Sequence, residues 1–541
     1  MSIHTTNKDS IFLNGINTYD EVPYESYPYP QTNPAHLYAI GKYFGMNPPK
    51  VENANILELG CASGENIIPI SIRYPHSKCT GIDLSKNQIK MAKKQTKAMG
   101  LKNMQFINAS ITDIDESYGM FDYIICHGVF SWVPQEVRNA IFKICSSLLS
   151  ANGIAYISYN TLPGWNSIKT AREIMQFQAQ MYDSPEEQVR QARLALNFIK
   201  DSLAGKNSLY AATIKKVAEE IEQKPNFYVY HEYLEENNSQ FYFKDLMHAA
   251  EKYSLQYVGD ANLSYMSVIG LPKSSAKKIN AIKDIVDQVQ YIDFIKNRTF
   301  SCILLCHNAI KLDRNINTEN IKSLYFCGDI KPKTVIHPID INDAEKEIEY
   351  YIHGKVGNPI FSKHPITKAM LYTFSDNLRH PISFKYLVNE SHKKLANYTE
   401  NQVSEHILGC LVQYISAGLF TMFASPASSI NVIQQFPKVA EYSRYQVTHG
   451  SGDWVTNELH EKYSLNLLEK FAITYMDGKH DKEMIIAKLM EHINNGEITI
   501  FDKKVKVVGH KEQYRMVTLL LDEALNRMKD GALLKLNPVI D

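Results

Sequence analysis

The sequence has no excess of charge of either sign. Lys plus Arg number 58 and Asp plus Glu also number 58, so the formal net charge is zero. Proteins that bind nucleic acid usually carry a basic field, because phosphate contacts supply much of the affinity. The balance therefore argues against nucleic acid as a partner, although a local basic patch would be compatible with it.

Cysteine is scarce and shows no regular spacing. Eight cysteines are scattered over 541 positions, without the pattern of a disulfide framework. Cys302, Cys306 and His307 lie close together in sequence, but the apolar residues between them predict a buried or half-buried strand rather than a zinc site. We therefore predict no metal centre and a reducing, cytoplasmic location.

Signals for secretion or membrane insertion are also lacking. The first residues do not show a basic segment followed by an apolar one, so no secretory signal is predicted. One apolar stretch, Ile407 to Ala424, is nearly long enough to span a bilayer. Gly418 divides it, and its two parts predict a buried helix followed by a strand. We expect no membrane insertion.

The length of the chain predicts two to four domains, since one core rarely organises 541 residues. We divide it into a first domain at 1–165, a helical segment at 166–225, a middle domain at 226–360 and a C-terminal domain at 361–541. Residues 1–36 are rich in Tyr and Pro and form either a surface arm or an aromatic lid over a pocket.

The C-terminal domain contains two similar modules that look like winged helices. Each has short helices followed by a glycine-marked turn into a strand, at Gly418 in the first and Gly478 in the second. Winged helices often place one helix in the DNA major groove. Here the candidate helix from Glu405 to Ser416 carries no Lys or Arg. We therefore expect these modules to contact protein or to be structural.

Residues 55–160 alternate between strand and helix patterns. Apolar segments such as Ile56–Leu59 and Phe121–Cys126 predict strands, and Ser85–Met99 predicts a helix capped by Ser85. The alternation is typical of an α/β, doubly wound Rossmann-like fold with a parallel sheet. Right-handed crossovers bring the carboxyl ends of the strands to one edge, where ligands bind.

The strongest local motif is Glu58–Gly64, at the end of the first predicted strand. Gly60 and Gly64 allow the backbone to turn sharply and to approach a ligand. The following helix can hold an anionic group at its N-terminus. This Gly-x-x-x-Gly loop suits a methionine carboxylate and a ribose, whereas pyrophosphate needs a longer glycine track. A tight turn without a ligand is the alternative for this motif alone.

Asp83 ends the second predicted strand, 23 residues after Gly60. An acidic residue at this place can accept hydrogen bonds from both hydroxyls of a ribose. The alternative is a helix cap, but Ser85 already supplies one. The two motifs together therefore favour a nucleoside ligand.

The fourth predicted strand ends at His127 and Gly128, again at the ligand edge, and Trp132 follows shortly after. By itself His127 would be an ordinary strand-end histidine and Trp132 an ordinary core residue. Their position near the glycine loop favours a functional role.

At this point the order and spacing of the motifs resemble class I S-adenosylmethionine-dependent methyltransferases. More narrowly, the chain is similar to bacterial methyltransferases with a methyltransferase regulatory domain, and within them to the rickettsial lysine methyltransferases that modify outer membrane protein B. The runs that carry this resemblance are Tyr27–Pro34, Leu57–Cys61, Phe121–Pro134, Ala155–Trp165, Tyr230–Leu234 and Tyr242–Phe243.

The resemblance implies S-adenosylmethionine as the cofactor. It places Asp83 at the ribose, and His127 and Val129 near the sulfonium. An acidic residue is common at the adenine in this superfamily, but Ala109 and Ser110 stand there in this chain. The cofactor-binding residues that the resemblance implies are Glu58, Gly60, Cys61, Ala62, Gly64, Asn66, Asp83, Leu84, Ala109, Ser110, His127 and Val129.

The resemblance also implies acceptor-side residues, namely Trp132, Tyr159 and Asn160. A lysine acceptor must lose its proton, since its pKa is about 10.4 and an ammonium has no lone pair. Aromatic surroundings lower that pKa and hold cations on their faces. Histidines titrate in the range of a proton acceptor. The further candidates for this channel and for proton transfer are Tyr24, Tyr27, His127, His231 and Tyr233.

The resemblance thus implies a protein-lysine N-methyltransferase that acts on an outer membrane protein and forms a homodimer, and the helices of residues 166–222 are the candidate interface. One alternative keeps the chemistry with a small-molecule acceptor. Another is a cofactor-binding scaffold without turnover. A nucleic-acid methyltransferase is disfavoured, because adenine N6 enzymes carry an Asn-Pro-Pro-Tyr-like tetrad where this chain has His127–Phe130.

Overall fold

The computed structural model describes residues 12–13, 16–17, 22, 25–352, 359–450, 453–502 and 505–537. Within these ranges the chain forms two compact units. The first contains the described residues up to 27 together with 46–314, and the second contains 28–45 together with the described residues from 315 onward. The Tyr- and Pro-rich arm is therefore divided, because residues 28–45 group with the C-terminal part of the chain.

The strands of the described residues are mostly short, which is usual for globular domains. In chain order they are β1 (Phe12–Leu13), β2 (Ile16–Asn17), β3 (Asn55–Leu59), β4 (Lys78–Asp83), β5 (Met104–Asn108), β6 (Phe121–Cys126), β7 (Leu149–Thr161), β8 (Gln240–Phe241), β9 (Leu255–Asp260), β10 (Phe300–His307), β11 (Tyr325–Gly328), β12 (Ile330–Pro332), β13 (Ile348–Ile352), β14 (Ile360–Ser362), β15 (Ile382–Ser383), β16 (Phe420–Phe423), β17 (Trp454–Thr456), β18 (Lys462–Ser464), β19 (Phe501–Asp502) and β20 (Val505–Lys506).

The described chain has one π-helical turn, Tyr230–Leu234, among its α-helices. In chain order they are α1 (Pro34–Tyr43), α2 (Ile67–Arg73), α3 (Lys86–Ala98), α4 (Gln135–Ser147), α5 (Trp165–Ala179), α6 (Pro185–Ser202), α7 (Leu209–Glu222), α8 (Asn226–Val229), α9 (Phe243–Glu251), α10 (Lys273–Asn280), α11 (Ile285–Lys296), α12 (Thr318–Ile321), α13 (Pro338–Asn342), α14 (Pro365–Asp376), α15 (Phe384–Lys393), α16 (Glu400–Ser416), α17 (Glu441–His449), α18 (Leu467–Tyr475), α19 (Lys482–Asn494) and α20 (His510–Asp530).

An eight-stranded mixed sheet forms the centre of the first unit. Its order is β5-β4-β3-β6-β7-β10-β9, and β8 pairs with the end of β7. Strands β3 to β7 run parallel, whereas β10 lies antiparallel between β7 and β9. Helices α2, α3 and α4 connect the parallel strands. This arrangement confirms the predicted doubly wound α/β fold.

Burial explains why the central strands consist almost entirely of apolar residues in the sequence. Ile56, Leu57 and Leu59 of β3 are fully buried, as expected for a parallel strand covered on both faces. Full burial of each such side chain contributes about 1.5–3 kcal/mol. The predicted cap of α3 is also present, since the Ser85 hydroxyl accepts the Gln88 N–H at 3.1 Å.

Helices α5, α6 and α7 pack against one another after the sheet. Ala171, Ala192 and Ile214 are completely buried in their common core, to which the π-helical turn adds Tyr230 and Tyr233. The predicted helices of residues 166–222 are therefore present.

The second unit begins with α1, which packs on β16 and places the His36 Nδ1 atom 2.9 Å from the Met422 carbonyl oxygen. The apolar stretch from Ile407 forms the end of α16 and then β16, as predicted. Helices α18 to α20 share a core that includes Leu489 and Leu521, and the hairpins β17–β18 and β19–β20 accompany them. This combination is winged-helix-like.

No helix in the described ranges is long and apolar enough to cross a membrane. The described residues also contain no group of three or more His, Cys, Asp or Glu side chains arranged for a metal ion. Cys302 and Cys306 lie on β10, and the Nε2 atom of His307 is 2.9 Å from the Leu149 carbonyl oxygen. All eight cysteines are free thiols.

Candidate functional site

The parallel strands end at a common edge, and the residues singled out in the sequence follow them there. The order of the sheet reverses between the neighbouring strands β3 and β6, since β4 continues on one side and β7 on the other. A crevice opens at such a reversal, outside the carboxyl ends of the strands. Gly60, Asp83 and His127 all lie at this edge, at the ends of β3, β4 and β6.

The glycine loop is held against the end of β4. The N–H groups of Gly60 and Cys61 both donate to the Ile82 carbonyl oxygen, at 2.8 and 3.0 Å. Gly60 has φ +72°, and a Cβ atom there would lie 2.4 Å from Cγ2 of Val129. Gly64 has φ +90°. A Cβ atom at Gly64 would lie 2.6 Å from Cζ of Phe106, so both glycines are required by conformation and by space.

The carboxylate of Asp83 fastens this loop to the next one. Its Oδ2 accepts the N–H of Ala62 at 2.9 Å, and its Oδ1 accepts the N–H of Ser85 at 2.8 Å. The first bond holds Ala62 at φ +45°, which is uncommon for a residue with a Cβ. Carboxylate oxygens have further lone pairs, so Asp83 can still accept hydrogen bonds from hydroxyl groups.

The end of β5 is joined to the same point. The Asn108 amide donates to the carbonyl oxygens of Asp83 and Leu84 at 3.1 and 2.8 Å, and the Ala109 N–H donates to the Asp83 carbonyl at 3.2 Å. Ser110 caps the short helix Ile111–Asp113. The predicted loops after β3, β4 and β5 are thereby brought together.

Glu58 is the buried carboxyl group beneath the glycine loop. Its Oε1 accepts the Asn66 amide at 2.6 Å, whereas its buried Oε2 has no hydrogen-bond partner in the described part of the chain. Burial, together with the nearby charges of Asp83 and Glu65, raises the pKa of Glu58 to about 8, and the hydrogen bond from Asn66 opposes the rise. A buried, unsatisfied acidic oxygen fits a ligand with a positive charge, as a sulfonium amino acid has.

His127 lies in an aromatic setting at the end of β6. Its Nδ1 is 2.8 Å from the Tyr156 hydroxyl, its ring stacks on that of Tyr156, and the edge of Phe300 approaches it at 6.0 Å between centroids. Burial lowers the pKa of His127 to about 3. The imidazole is therefore neutral at physiological pH and a weak proton acceptor, so its setting suits packing against a ligand.

The structure places Trp132 and Asn160, the residues predicted to lie on the acceptor side, on adjoining segments. Trp132 ends the short helix Phe130–Trp132 and is half-buried. The Asn160 N–H donates to the Ser131 hydroxyl at 2.8 Å, and its side-chain amide donates to Asn238 Oδ1 at 3.1 Å. The structure thus joins the end of β7 to the loop after β6 and to the segment before β8.

Tyr159 is not brought to this edge. It is 1% exposed, belongs to the core and packs edge-on against Phe241. Successive side chains of a strand point to opposite faces, so Tyr159 and Asn160 cannot both face the acceptor. The structure corrects the placement of Tyr159 for this reason.

His231 and Tyr233 lie on the π-helical turn and are also buried. The two ring nitrogens of His231 are 3.1 Å from Glu235 Oε1 and 2.7 Å from the Val22 carbonyl oxygen. Tyr233 is 7% exposed, and burial raises the pKa of its hydroxyl. His231 therefore holds the turn in place, contrary to the proton-accepting role that the sequence suggested.

Tyr27 is the arm candidate that lies within the described residues. The Tyr27 hydroxyl donates to the Glu25 carboxylate. Tyr24, the other candidate of the arm, lies outside the described residues.

Sequence reasoning missed the aromatic partners of His127. Tyr156 lies on the same face of β7 as Ser158, whose hydroxyl accepts a hydrogen bond from the Gly128 N–H at 2.8 Å. Because side chains alternate between the two faces of a strand, this face could have been predicted from the sequence. No comparable signal existed for Phe300, which reaches the edge because β10 pairs with β7.

Three family models match the chain. A "Methyltransferase domain" matches residues 56–153, a "Predicted methyltransferase regulatory domain" matches 225–307, and "PKMT, C-terminal winged helix domain" matches 436–533. The last covers the second of the two predicted winged-helix modules. Together the models place a regulatory module and a winged helix after the cofactor-binding fold.

The similarity to known proteins extends over nearly the whole chain. A Rickettsia prowazekii protein, RP789, is 41% identical over 98% of this chain and 97% of its own length. The structure of PKMT2 from Rickettsia typhi is 36% identical, covers 95% of this chain and all of that one, and superposes with a TM-score of 0.86. PKMT2 in complex with AdoHcy gives a TM-score of 0.87 at the same identity and coverage.

Proposed function

This chain belongs to the PKMT family of S-adenosylmethionine-dependent methyltransferases, and from that premise we propose that it transfers methyl groups to lysine side chains of a protein. The observation that carries the proposal is its similarity to PKMT2 along the full length of that protein, including the winged helix. A shared architecture outside the cofactor domain supports a shared class of acceptor.

S-adenosylmethionine is the cofactor, and it supplies a methyl carbon already activated by a sulfonium. We assign the ribose hydroxyls to Asp83 and the α-ammonium end to the pocket of Glu58. The loop from Gly60 to Gly64 and the helix that follows take the carboxylate, because a helix N-terminus presents unpaired N–H groups. Each assignment pairs one polar group of the cofactor with the predicted residues whose hydrogen-bonding groups suit it.

The protein contributes chiefly orientation and desolvation. An in-line transfer needs the acceptor nitrogen, the methyl carbon and the sulfur aligned, and holding them so removes much of the entropic barrier. Neutral His127, with the buried ring of Tyr156 stacked against it and the ring of Phe300 at its edge, gives an aromatic wall at the end of β6. Such a wall favours an uncharged amine and stabilises a sulfonium by cation–π attraction.

The proposed substrate is an outer membrane protein of the same cell, methylated in the cytoplasm. Support comes from the resemblance to the rickettsial enzymes and, for the compartment, from the eight free thiols. A small-molecule acceptor and a scaffold without turnover remain as alternatives that the experiment below separates.

We also propose that the protein is a homodimer through α5, α6 and α7. Large apolar side chains are exposed on these helices or just beyond their ends, and Leu194 and Phe198 of α6 stand four positions apart. Clustered apolar exposure of this kind is typical of an interaction surface. The exposed side chains are Phe177 (65%), Met181 (59%), Leu194 (52%), Phe198 (68%) and Leu209 (86%).

The proposed activity is tested with methyl-labelled S-adenosylmethionine and purified fragments of an outer membrane protein from the same cell. Peptide mass spectrometry locates the added methyl groups, and Asp83→Ala serves as the control with weakened cofactor binding. We expect methylated lysines that disappear in the control. Cofactor binding without any methylated lysine would reject the protein-lysine assignment for that substrate.

A further inference from the structure

The π-helical turn Tyr230–Leu234 presents one acidic side chain that the assignments above do not use. Turns of this type are rare in proteins and are frequently found at functional sites. His231 and Tyr233 are buried, whereas Glu232 between them is only partly covered. The turn therefore holds Glu232 in a fixed place, with part of the residue at the surface.

The Glu232 carboxylate has no hydrogen bond and no ion pair with the residues that the structure describes. Burial raises its pKa to about 7, and the positive charges of Lys224 and Arg172 partly oppose that rise. In turn, its negative charge contributes to the raised pKa values of two phenols. The titratable and charged groups that interact with it are Arg172 of α5, Lys224 after α7, Tyr228 of α8 and Tyr233 of the turn, and Glu220 of α7 acts on the same two tyrosines.

Both neighbouring cations have other partners. The Arg172 guanidinium donates to the Glu235 carbonyl and to Gln176 Oε1 at 2.8 Å. The Lys224 ammonium lies over the Tyr228 ring, 5.0 Å from its centroid. An exposed lysine of this chain therefore already lies over an aromatic face near Glu232, which is the kind of contact that a lysine ammonium makes with an aromatic ring.

Hydrogen bonds connect this turn to the ligand edge of the sheet. The Asn238 amide donates to the Glu232 carbonyl oxygen at 3.4 Å, and Asn238 Oδ1 accepts the Asn160 amide at 3.1 Å. Asn160 in turn is bound to Ser131 in the loop after β6. The backbone of Glu232 is thus anchored to the end of β7, beside the crevice assigned to the cofactor.

We propose that the Glu232 carboxylate binds the ammonium group of the acceptor lysine and takes its proton, with the half-buried Tyr228 as the aromatic side of the same site. This inference rests on the proposed function. Attraction between opposite charges brings in a cationic side chain, and aromatic rings accept its methylene stem and its methylated product. Glu232 would then be a catalytic residue rather than a structural one.

The proton and electron balance of this step is simple. One N–H bond of the ammonium breaks, and its proton passes to a carboxylate oxygen of Glu232. The lone pair left on nitrogen forms the bond to the methyl carbon as the bond from sulfur to that carbon breaks, and that electron pair remains on sulfur. The neutral carboxyl group of Glu232 then returns its proton to solvent at the partly covered turn.

The test compares Glu232→Gln with Glu236→Gln in the full-length protein. Each variant removes one negative charge, and Glu236 is exposed four positions along. Methyl transfer to the outer membrane protein fragment gives kcat and KM, and calorimetry gives the affinity for S-adenosylmethionine. We expect kcat/KM to fall about 100-fold or more in Glu232→Gln, with cofactor affinity and the Glu236→Gln variant unchanged.

The pH profile adds a readout that a structural role would not change. In the unmodified protein, activity should rise as the pH passes through about 7, because Glu232 must be ionised to accept a proton. This rise should be missing in Glu232→Gln and present in Glu232→Asp, which keeps a carboxylate. Retention of the rise in Glu232→Gln would overturn the proposal.

Two further outcomes separate this inference from the proposed function. If the unmodified protein methylates lysine and both glutamine variants match it, the role of Glu232 is overturned while the lysine assignment stands. If the unmodified protein binds cofactor but methylates no polypeptide, the proposed function fails and this inference fails with it. Equal loss of cofactor affinity and activity in Glu232→Gln and Glu232→Asp would show a structural role and overturn the inference.

Discussion

Gly60 and Val129 approach each other so closely that a single Cβ atom on residue 60 would lie 2.4 Å from the Val129 Cγ2 atom. The contact joins the loop after β3 to the loop after β6 across the reversal point of the sheet. Both loops line the crevice assigned to the cofactor. Any side chain at position 60 must therefore displace one wall of that crevice.

The first prediction is that Gly60→Ala lowers the affinity for S-adenosylmethionine about tenfold or more, since both the φ of +72° and the contact oppose a Cβ. Calorimetry measures the affinity. Gly100→Ala is the matched control, because Gly100 has φ +63° but no atom within 4 Å of the added Cβ. Equal affinity in both variants would contradict the steric role of Val129.

A second prediction concerns Glu58 and pH. The cofactor's positive charges favour the carboxylate, so binding should release a proton and become tighter as the pH rises from 6 to 8. Calorimetry in buffers with different heats of ionisation measures that proton. Glu58→Gln should weaken cofactor binding and abolish the release. An unchanged number of protons in this variant would assign the release to another group.

The second prediction extends to stability in the absence of cofactor, because the same carboxyl group controls it. Between about pH 4.5 and 8 the unfolded chain loses the Glu58 proton while the folded chain keeps it, so the free energy of unfolding falls across this window. Glu58→Gln should therefore raise the melting temperature of the cofactor-free protein at pH 8, and the gain should vanish near pH 4.5. An equal gain at both pH values would speak against the linkage.

A third prediction concerns Arg298, which is 5% exposed and pairs with the buried carboxylates of Asp260 and Asp293. Arg298→Met leaves two buried carboxylates without their cation and should lower the free energy of unfolding by about 3–5 kcal/mol. Urea unfolding measures the loss. Arg190→Met removes an exposed pair with Glu187 and should leave the transition nearly unchanged. Similar effects of both substitutions would contradict the importance of burial.

The fourth prediction tests the proposed homodimer. Phe198→Glu places a charge on the exposed face of α6 and should convert a dimer into a monomer in sedimentation experiments at micromolar concentration. Leu519→Glu on α20 provides the control, since Leu519 is also an exposed apolar residue but lies in the second unit. A dimer that survives Phe198→Glu and not Leu519→Glu would move the interface away from α5 to α7.

Much of the α/β fold was predictable because its signals are local. The buried strands β3 and β6 read as apolar runs, Ser85 precedes a helix that it does cap, and Gly418 separates a helix from a strand as predicted. The placement of Tyr159 was wrong although its signal was local as well. The alternation of side chains along β7 already separates it from Asn160.

Other features depended on contacts between residues far apart in sequence. Phe300 reaches His127 only because β10 pairs antiparallel with β7. Residues 28–45 group with the C-terminal part because α1 packs on β16, to which His36 bonds at Met422. The pattern of apolar and polar residues within a segment does not indicate which distant segment will pack against it.

The sequence by itself determined the chemistry available at each strand end, namely the glycine turn at Gly60, the carboxylate of Asp83 and the acid at Glu58. Backbone freedom and side-chain type belong to each residue and its neighbours, so they can be read from the sequence alone. The tertiary structure decided which groups meet and how far they are buried, and burial is what raises the pKa of Glu58 and Glu232 and lowers that of His127. Desolvation arises from atoms that distant segments bring together, and only the folded chain specifies them.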